Sequence, residues 1–488
     1  MPLKIIETYD NGLVFPVYNT DVFKDLFLYK LDVNGNLLWK RNYYINNSSF
    51  ETTTIIKLQS GGYLLGGATT FTDSINGDAF IIKMSDCFEP IWFKIYNEKD
   101  NYNRIDEIIE YGDKLLVSFA YLKENFMTIA LLDKNGKLIK KNTLPEISYS
   151  SMSITQKNTI NIISDSYPTG LLNNPNIGIN KSILFNLDSN LNIVKFKYYF
   201  LQDTNFFNSS YKLCYTNKSS NDFLTLSNNR VPNSQNVDID GSIMITKNLD
   251  ENNWRKVISD TNKFNAGTGM LRLNENRFII TSNYNPDLIN VSLYYGKNYI
   301  IDSFANIIYT QFENIGTKTS ETKDVIKLFD NNIVTIGTKN TSGSNWAIYC
   351  YKYNPDLTPF LKTNIIKQYD SMCSQTISTG SLKLPNPMIV PMILDSFLRI
   401  RNTNFTEFEV YPNPVSNILY FKSQNKISRN LNIKIFDTQG KIVFAETIVS
   451  ENGVARFNLV GIPNGQYLVY IEDSNSFVYR PIIILNKD

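Results

Sequence analysis

Catalysis near neutral pH most often leans on histidine, and this chain of 488 residues has none. Ser-His-Asp and Cys-His nucleophilic centres, His-ligated zinc and the usual general base are thereby excluded. The four cysteines, Cys87, Cys214, Cys350 and Cys373, are scattered without a Cys-x-x-Cys pair, so a metal or redox motif has no support. Cys350 and Cys373 are nearest in sequence and form the first candidate disulfide, weighed against buried free thiols. Asn236-Val-Asp-Ile-Asp-Gly-Ser242 begins like a calcium loop, with oxygen ligands at Asp238 and Asp240 ahead of a glycine. The bidentate glutamate that closes such a loop is missing, and Lys247 stands in its place. The segment therefore reads as an inter-strand turn, like Ser74-Ile-Asn-Gly-Asp78 elsewhere, and neither a metal nor any other cofactor is expected. Carboxylate pairs can hydrolyse glycosides without histidine. No pair stands out among the 46 acidic residues, so no catalytic residue is assigned.

Binding is the other use of such a chain. The 48 Lys and Arg balance the 46 Asp and Glu to a net charge of +2, which gives no global attraction to nucleic acid or to an anionic membrane. No run approaches the roughly 18 apolar residues of a membrane span. Met1-Pro-Leu-Lys-Ile-Ile-Glu-Thr-Tyr-Asp10 lacks the apolar core of a signal peptide and reads as a first strand, so a leader is expected upstream of this numbering. The 30 Tyr and 30 Phe could stack on sugars, though strand aromatics more often fill cores.

The elements that would carry any site are strands. A two-part pattern recurs about every fifty residues, as repeat architectures do. The clearest first part is Thr54-Ile-Ile-Lys-Leu-Gln-Ser-Gly-Gly-Tyr-Leu-Leu-Gly-Gly67, and the clearest second part is Asp25-Leu-Phe-Leu-Tyr-Lys-Leu-Asp-Val-Asn-Gly-Asn-Leu-Leu-Trp39. Gly-Gly or Asn-Gly flanked by period-2 apolar residues is a hairpin signal. First parts recur at Lys4–Phe15, Ile105–Val117, Ser153–Ile163, Leu213–Leu226, Met270–Thr281 and Asp324–Gly337. Second parts recur at Ala79–Trp92, Met127–Lys140, Ser182–Phe196, Ser242–Val257, Leu293–Tyr309 and Ala347–Leu361, which makes seven pairs. One hairpin pair cannot bury both faces alone, so the units must stack, and a β-propeller of about seven blades answers that need.

Leu31-Asp-Val-Asn-Gly-Asn-Leu-Leu-Trp39 resembles the outer-strand motif of quinoprotein-type propellers, whose tryptophans dock adjacent blades. Trp39 and Trp92 hold that position, and Lys140, Phe196 and Tyr309 replace it later, so the resemblance implies blade geometry and no quinone. It differs from the sialidase Asp-box, because Asn34 directly precedes Gly35. The pattern as a whole is similar to propellers of secreted Bacteroidetes proteins. The repeat fades between Asn364 and Asn404, where Pro385, Pro387 and Pro391 forbid a central strand. A ring-closing segment and linker is expected there.

From about Phe405 the texture becomes that of a small Ig-like β-sandwich, with short strands and turn punctuation. Tyr411-Pro-Asn-Pro414, Phe436-Asp-Thr-Gln-Gly-Lys441 and Pro463-Asn-Gly-Gln-Tyr467 resemble, in order and spacing, the signatures of the type A C-terminal sorting domain of type IX secretion. The departure is Tyr479-Arg-Pro-Ile482, where a lysine-led strand is usual and Arg480 keeps the charge. The resemblance implies partners in the type IX translocon and a sortase, with Tyr411, Pro412, Asn413, Pro414, Gly440, Lys441, Pro463, Gly465 and Tyr467 as the sorting motif. The expected all-β organisation is a propeller over 1–375, a ring-closing segment and linker over 376–404, and a sorting domain over 405–488. The expected function is a secreted, surface-displayed binding or adhesive module for an extracellular glycan or protein. The alternative is a carboxylate-dependent polysaccharide hydrolase on the same scaffold.

Overall fold

In a computed structural model, the described residues of the first part are 4–18, 25–46, 48–71, 77–97, 102–121, 126–145, 147–154, 160–166, 181–199, 207–217, 222–232, 238–247, 255–258, 264–286, 294–313, 319–342, 345–361 and 367–392. Those of the second are 408–412, 415–423, 430–437, 442–472 and 477–485. Every regular element among them is a β-strand. Met1–Pro168 with Asn173–Asp395 forms one compact unit, and Ser396–Asp488 forms the other.

In the first unit, antiparallel meanders follow one another in chain order. The first sheet holds Ile6–Glu7, Leu13–Tyr18, Leu26–Leu31 and Leu37–Tyr44, and the second holds Ser48–Lys57, Tyr63–Phe71, Asp78–Met84 and Pro90–Asn97. The third comprises Asn103–Tyr111, Lys114–Tyr121, Phe126–Asp133 and Leu138–Pro145, the fourth Ile147–Ile154, Ile160–Ser166, Lys181–Leu187 and Ile193–Tyr199. The fifth comprises Phe207–Asn217, Asp222–Pro232, Asp238–Lys247 and Arg255–Ile258, the sixth Phe264–Arg272, Arg277–Asn285, Tyr295–Asp302 and Ile307–Glu313. The seventh has Ser320–Lys327, Ile333–Ser342 and Asn345–Tyr353 among the described residues. Each pair of sequence repeats falls within one sheet. Asp238 and Asp240, weighed above as calcium ligands, lie in an extended strand paired to Pro232 and Val231, while Asn236 lies outside the described residues.

These sheets bury both faces, which explains their near-continuous apolar strands. In Asp78–Met84, Phe80 and Ile82 face the first sheet, whereas Ala79 and Ile81 face the third. Successive side chains point to opposite sides of a strand, so a sheet between two neighbours needs apolar residues at both phases. The first strand of each sheet packs against the first strand of the next. The seventh sheet also meets the first: Leu328, Val334 and Ile336 share a core with Ile5, Leu13 and Phe15.

The hairpin turns interlock the sheets. In Asp32–Asn36 the Gly35 amide donates to the Asp32 carbonyl at 3.0 Å, and one Asp32 carboxylate oxygen accepts the Asn34 and Asn36 amides at 2.8 and 2.7 Å. The fourth residue of this turn has positive φ, and later copies place Phe88 (57°), Gly136 (74°), Leu191 (61°), Ala305 (56°) and Leu357 (65°) there. A left-handed non-glycine residue costs roughly 1–2 kcal/mol. Burying a phenylalanine recovers roughly 1.5–3 kcal/mol, and Phe88, Leu191, Ala305 and Leu357 are all buried. The preceding sheet also caps these turns: the Tyr43 hydroxyl donates to the Phe88 carbonyl at 2.8 Å and that of Tyr96 to the Gly136 carbonyl at 2.8 Å.

Within the segment expected to close a ring and link the domains, the described residues run along the first two sheets, and 393–404 lie outside the described residues. Gly380–Lys383 pairs in parallel with Leu37–Tyr44, and Met388–Pro391 with Pro90–Asn97, each as a fifth, outermost strand. Its prolines suit an edge. The disulfide also differs from the sequence-nearest candidate, joining Cys87 to Cys373, while Cys350 is a free thiol that burial and the nearby Glu313 charge push up to about 12. Sequence proximity was a poor guide because the fold lays the tail across the second sheet. Replacing both Cys87 and Cys373 with serine removes a cross-link over 286 residues and should cost about 2–5 kcal/mol. Equilibrium urea unfolding of the double variant against the oxidised parent measures it.

The second unit has a three-stranded sheet (Phe408–Tyr411, Ile418–Ser423, Val454–Asn458) and a four-stranded sheet (Ile442–Val449, Asn430–Phe436, Gly465–Glu472, Phe477–Ile484). Leu419, Phe421 and Phe457 from one share a core with Leu431, Ile433, Ile435 and Val469 from the other. The alternation of Leu431, Ile433 and Ile435 with Asn432 and Lys434 is the period-2 pattern of a strand with one buried face.

Candidate functional site

The tail after the seventh sheet is fastened by a buried ion network. Lys30 is 1% exposed, and its Nζ lies 2.5 Å from Asp10 Oδ2 and 2.5 Å from Asp370 Oδ1. Lys30 occupies the inward phase of its strand, with Leu26 and Leu28, so its ammonium must find partners inside. Asp10 also accepts the Thr8 hydroxyl at 2.5 Å and the amides of Gly12 and Asp370 at 3.2 and 2.8 Å. Burial raises the Asp10 pKa, but Lys30, Thr8 and the Asp370 amide outweigh it and hold the carboxyl below its ordinary 3.8. The second Asp370 oxygen accepts Trp39 Nε1 at 3.1 Å, and the Tyr369 hydroxyl accepts the Val33 amide at 2.8 Å. A tryptophan, a lysine and two aspartates thus pin the segment that carries Cys373.

Two adjoining cavities lie on this face. One, of about 310 Å³, is lined by Tyr9, Asp10, Lys30, Tyr63, Asp86 and Asp370 among others. The other is an open groove of about 530 Å³ between the first-hairpin turns of the first, second and seventh sheets, lined by Glu7, Tyr9, Asn11, Lys57, Lys327 and Phe329 among others. Tyr9 borders both; its hydroxyl donates to the Leu58 carbonyl, and burial, with the Asp86 and Glu110 charges, pushes its pKa up to about 12. Glycoside hydrolysis needs one carboxyl kept protonated as the acid. Asp10 does not suit that role, because Lys30, Thr8 and the Asp370 amide hold its carboxyl below the ordinary carboxylate range.

In the second unit, five of the residues expected to form the sorting motif are described: Tyr411, Pro412, Pro463, Gly465 and Tyr467. Tyr411 stacks on Tyr420, with ring centroids 5.7 Å apart, and Pro412 follows it. Asn413, Pro414, Gly440 and Lys441 lie outside the described residues. Just beyond Pro414, the Val415 amide donates to the Ile483 carbonyl at 2.8 Å, and Val415 bridges to Ile484, which also pairs with Gly465. The Tyr467 hydroxyl donates to the Pro463 carbonyl at 2.9 Å, and a Cβ on Gly465 would sit 3.3 Å from the Tyr467 ring. Phe436 and Ile442, which flank Gly440 and Lys441 in sequence, pair with each other, and Phe436 pairs with Leu468. The sequence missed Asp10, Lys30, Asp370 and the Cys87–Cys373 link; only the inward phase of Lys30 signalled a buried charge.

Solved structures resemble the first unit in fold. A polysaccharide lyase of family PL25, an ulvan lyase bound to -[GlcA(1-4)Rha3S]-, is 9% identical with a TM-score of 0.51, covering 73% of this chain and 93% of that one. A second structure of a PL25 ulvan lyase is 9% identical with a TM-score of 0.52, covering 72% and 91%. A protein from Lactobacillus plantarum is 10% identical with a TM-score of 0.43, covering 74% and 97%. None of the curated proteins matches the sequence. The first unit is therefore an all-β, propeller-like domain. Residues 409–485 match the secretion system C-terminal sorting domain, and the chain is a secreted cargo of the type IX system.

Proposed function

We propose that the first unit is a closed seven-bladed propeller acting as a binding or adhesive module at the cell surface, delivered by an Ig-like, type A sorting domain. The sorting-domain match at 409–485 carries this reading. Ring closure is supported by the joint between the seventh and first sheets, where Glu7 Oε2 accepts the Phe329 amide at 2.8 Å. Glu110 makes the same kind of joint between the third and second sheets, accepting the Gln59 amide at 2.7 Å. Tyr411, Pro412, Asn413, Pro414, Gly440, Lys441, Pro463, Gly465 and Tyr467 act as the motif read by the translocon. A sortase then cuts between about Leu394 and Glu409, a window that reaches the first strand of the sandwich only at Phe408 and whose residues 394–407 lie outside the described residues. The lyase activity of the PL25 neighbours belongs to those proteins. Asp10, held below the ordinary carboxylate range, does not supply the protonated acid that glycoside hydrolysis needs.

Deleting residues 405–488 should leave a folded propeller that stays in the periplasm, since each unit owns its core. Fractionation with surface labelling tests it, and normal display of the deletion would refute the sorting assignment. Mass spectrometry of the surface form should find its C-terminus within the 394–409 window.

A further inference from the structure

We infer that the open groove at the turns of the first, second and seventh sheets binds an acidic polysaccharide, one bearing uronate or sulfate groups. This rests on the binding-module reading and names its ligand class. Phe329 is 87% exposed at the second position of its turn, where its side chain does nothing for the hairpin. Tyr9 holds the same turn position in the first sheet, is 39% exposed and lines the same groove. The presented Phe329 face suits a sugar ring, whose apolar C–H face stacks on it, while Tyr9 already carries Lys57 over its ring and packs against Tyr63.

Ammonium groups outnumber unpaired carboxylates around these rings, with Lys57, Lys327 and Lys367 set against Glu7 and Asp86. Both Glu7 oxygens are occupied, one by Asn11 Nδ2 at 3.1 Å and the other by the Phe329 amide at 2.8 Å. Nearby Glu110 is paired to Lys134, and Asp330 is paired to Lys352 at 3.1 Å. Lys57, Lys327 and Lys367 form no ion pair among the described residues, and Glu7 keeps its charge because both its donors are neutral amides. Lys57 lies over the Tyr9 ring at 5.1 Å, Lys327 donates to the Leu273 carbonyl at 2.6 Å, and Lys367 donates to the Asn11 side-chain oxygen. Carboxylate or sulfate groups of a stacked sugar chain would supply the missing counter-charge. At about 530 Å³, the groove is within the ordinary range of ligand sites.

Affinity gel electrophoresis of the full chain in polygalacturonate, in heparin and in neutral dextran tests the inference. Retardation should occur in at least one acidic polymer, be absent in dextran, and weaken as salt rises. Phe329→Ala and Lys57→Glu should each weaken it about tenfold with unchanged thermal unfolding, because both side chains are exposed. No retardation in either acidic polymer, equal retardation in dextran, or unchanged retardation in both variants overturns the groove assignment. Failure of the surface-module reading would appear separately, as normal display of the 405–488 deletion.

Discussion

Replacing Lys30 with methionine should destabilise the first unit by about 3 kcal/mol, the low end for a buried pair, because it strands two partly buried carboxylates without their shared cation. The stem is nearly matched in volume, so the loss is electrostatic rather than a cavity. Adding Asp10→Asn and Asp370→Asn to Lys30→Met should recover much of that loss, since a neutral network leaves no uncompensated charge. Tryptophan fluorescence during urea unfolding reads this unit selectively, as Trp39, Trp92, Trp254 and Trp346 are the four tryptophans and all precede residue 395. The parent should also lose stability in acid. Asp10 is held below 3.8, so its contribution is complete above that unfolded-state value and disappears as pH falls through the lower folded-state one. Asp10→Asn should flatten that part of the profile. A Lys30→Met loss under about 1 kcal/mol would mean that the carboxylates reach solvent, as exposed pairs do.

Local signals carried the repeat. Asn34-Gly35 and Gly61-Gly62 sit in the tight turns their sequence implies, with positive φ at Gly35, Gly61 and Gly62. Alternating apolar residues placed the strands, and each pair of repeats fell in one sheet. Phe88 and Leu191 hid the same turn from a glycine search, because burial against the preceding sheet replaces the glycine that local sterics would ask for. The Lys30 network was illegible for another reason. Lys30 and Asp370 are 340 residues apart, and no local pattern reports such a pairing. Only their inward phase or polarity could hint at it. In the second unit the motifs were visible one by one, but the strand register that joins Gly465 to Ile484 and Phe436 to Leu468 was not.

Trp39→Ala should cost about 3–5 kcal/mol, the usual range for emptying a buried tryptophan site. Trp39 is 1% exposed and meets Phe88 edge-on, with centroids 5.1 Å apart, so its ring fills the joint between the first and second sheets. Its Nε1 donates to Asp370, the carboxylate that also holds Lys30. Truncation therefore opens a cavity and removes a donor from a buried anion together. Trp39→Phe separates the two: it keeps an aromatic body against Phe88 and drops the hydrogen bond, which is worth about 1.5–3 kcal/mol when one partner is charged. Because Trp39 and Lys30 share Asp370, their losses should not add, and a double-mutant cycle should return a coupling of about 0.5–3 kcal/mol. Trp92 gives the contrast. It covers Gly136 at the equivalent joint between the second and third sheets, yet it is only partly buried and its Nε1 has no partner among the described residues. Trp92→Ala should therefore cost clearly less than Trp39→Ala under the same urea titration. Equal losses would locate the stabilisation in ring packing alone and leave the Asp370 network without a share in closing the first sheet.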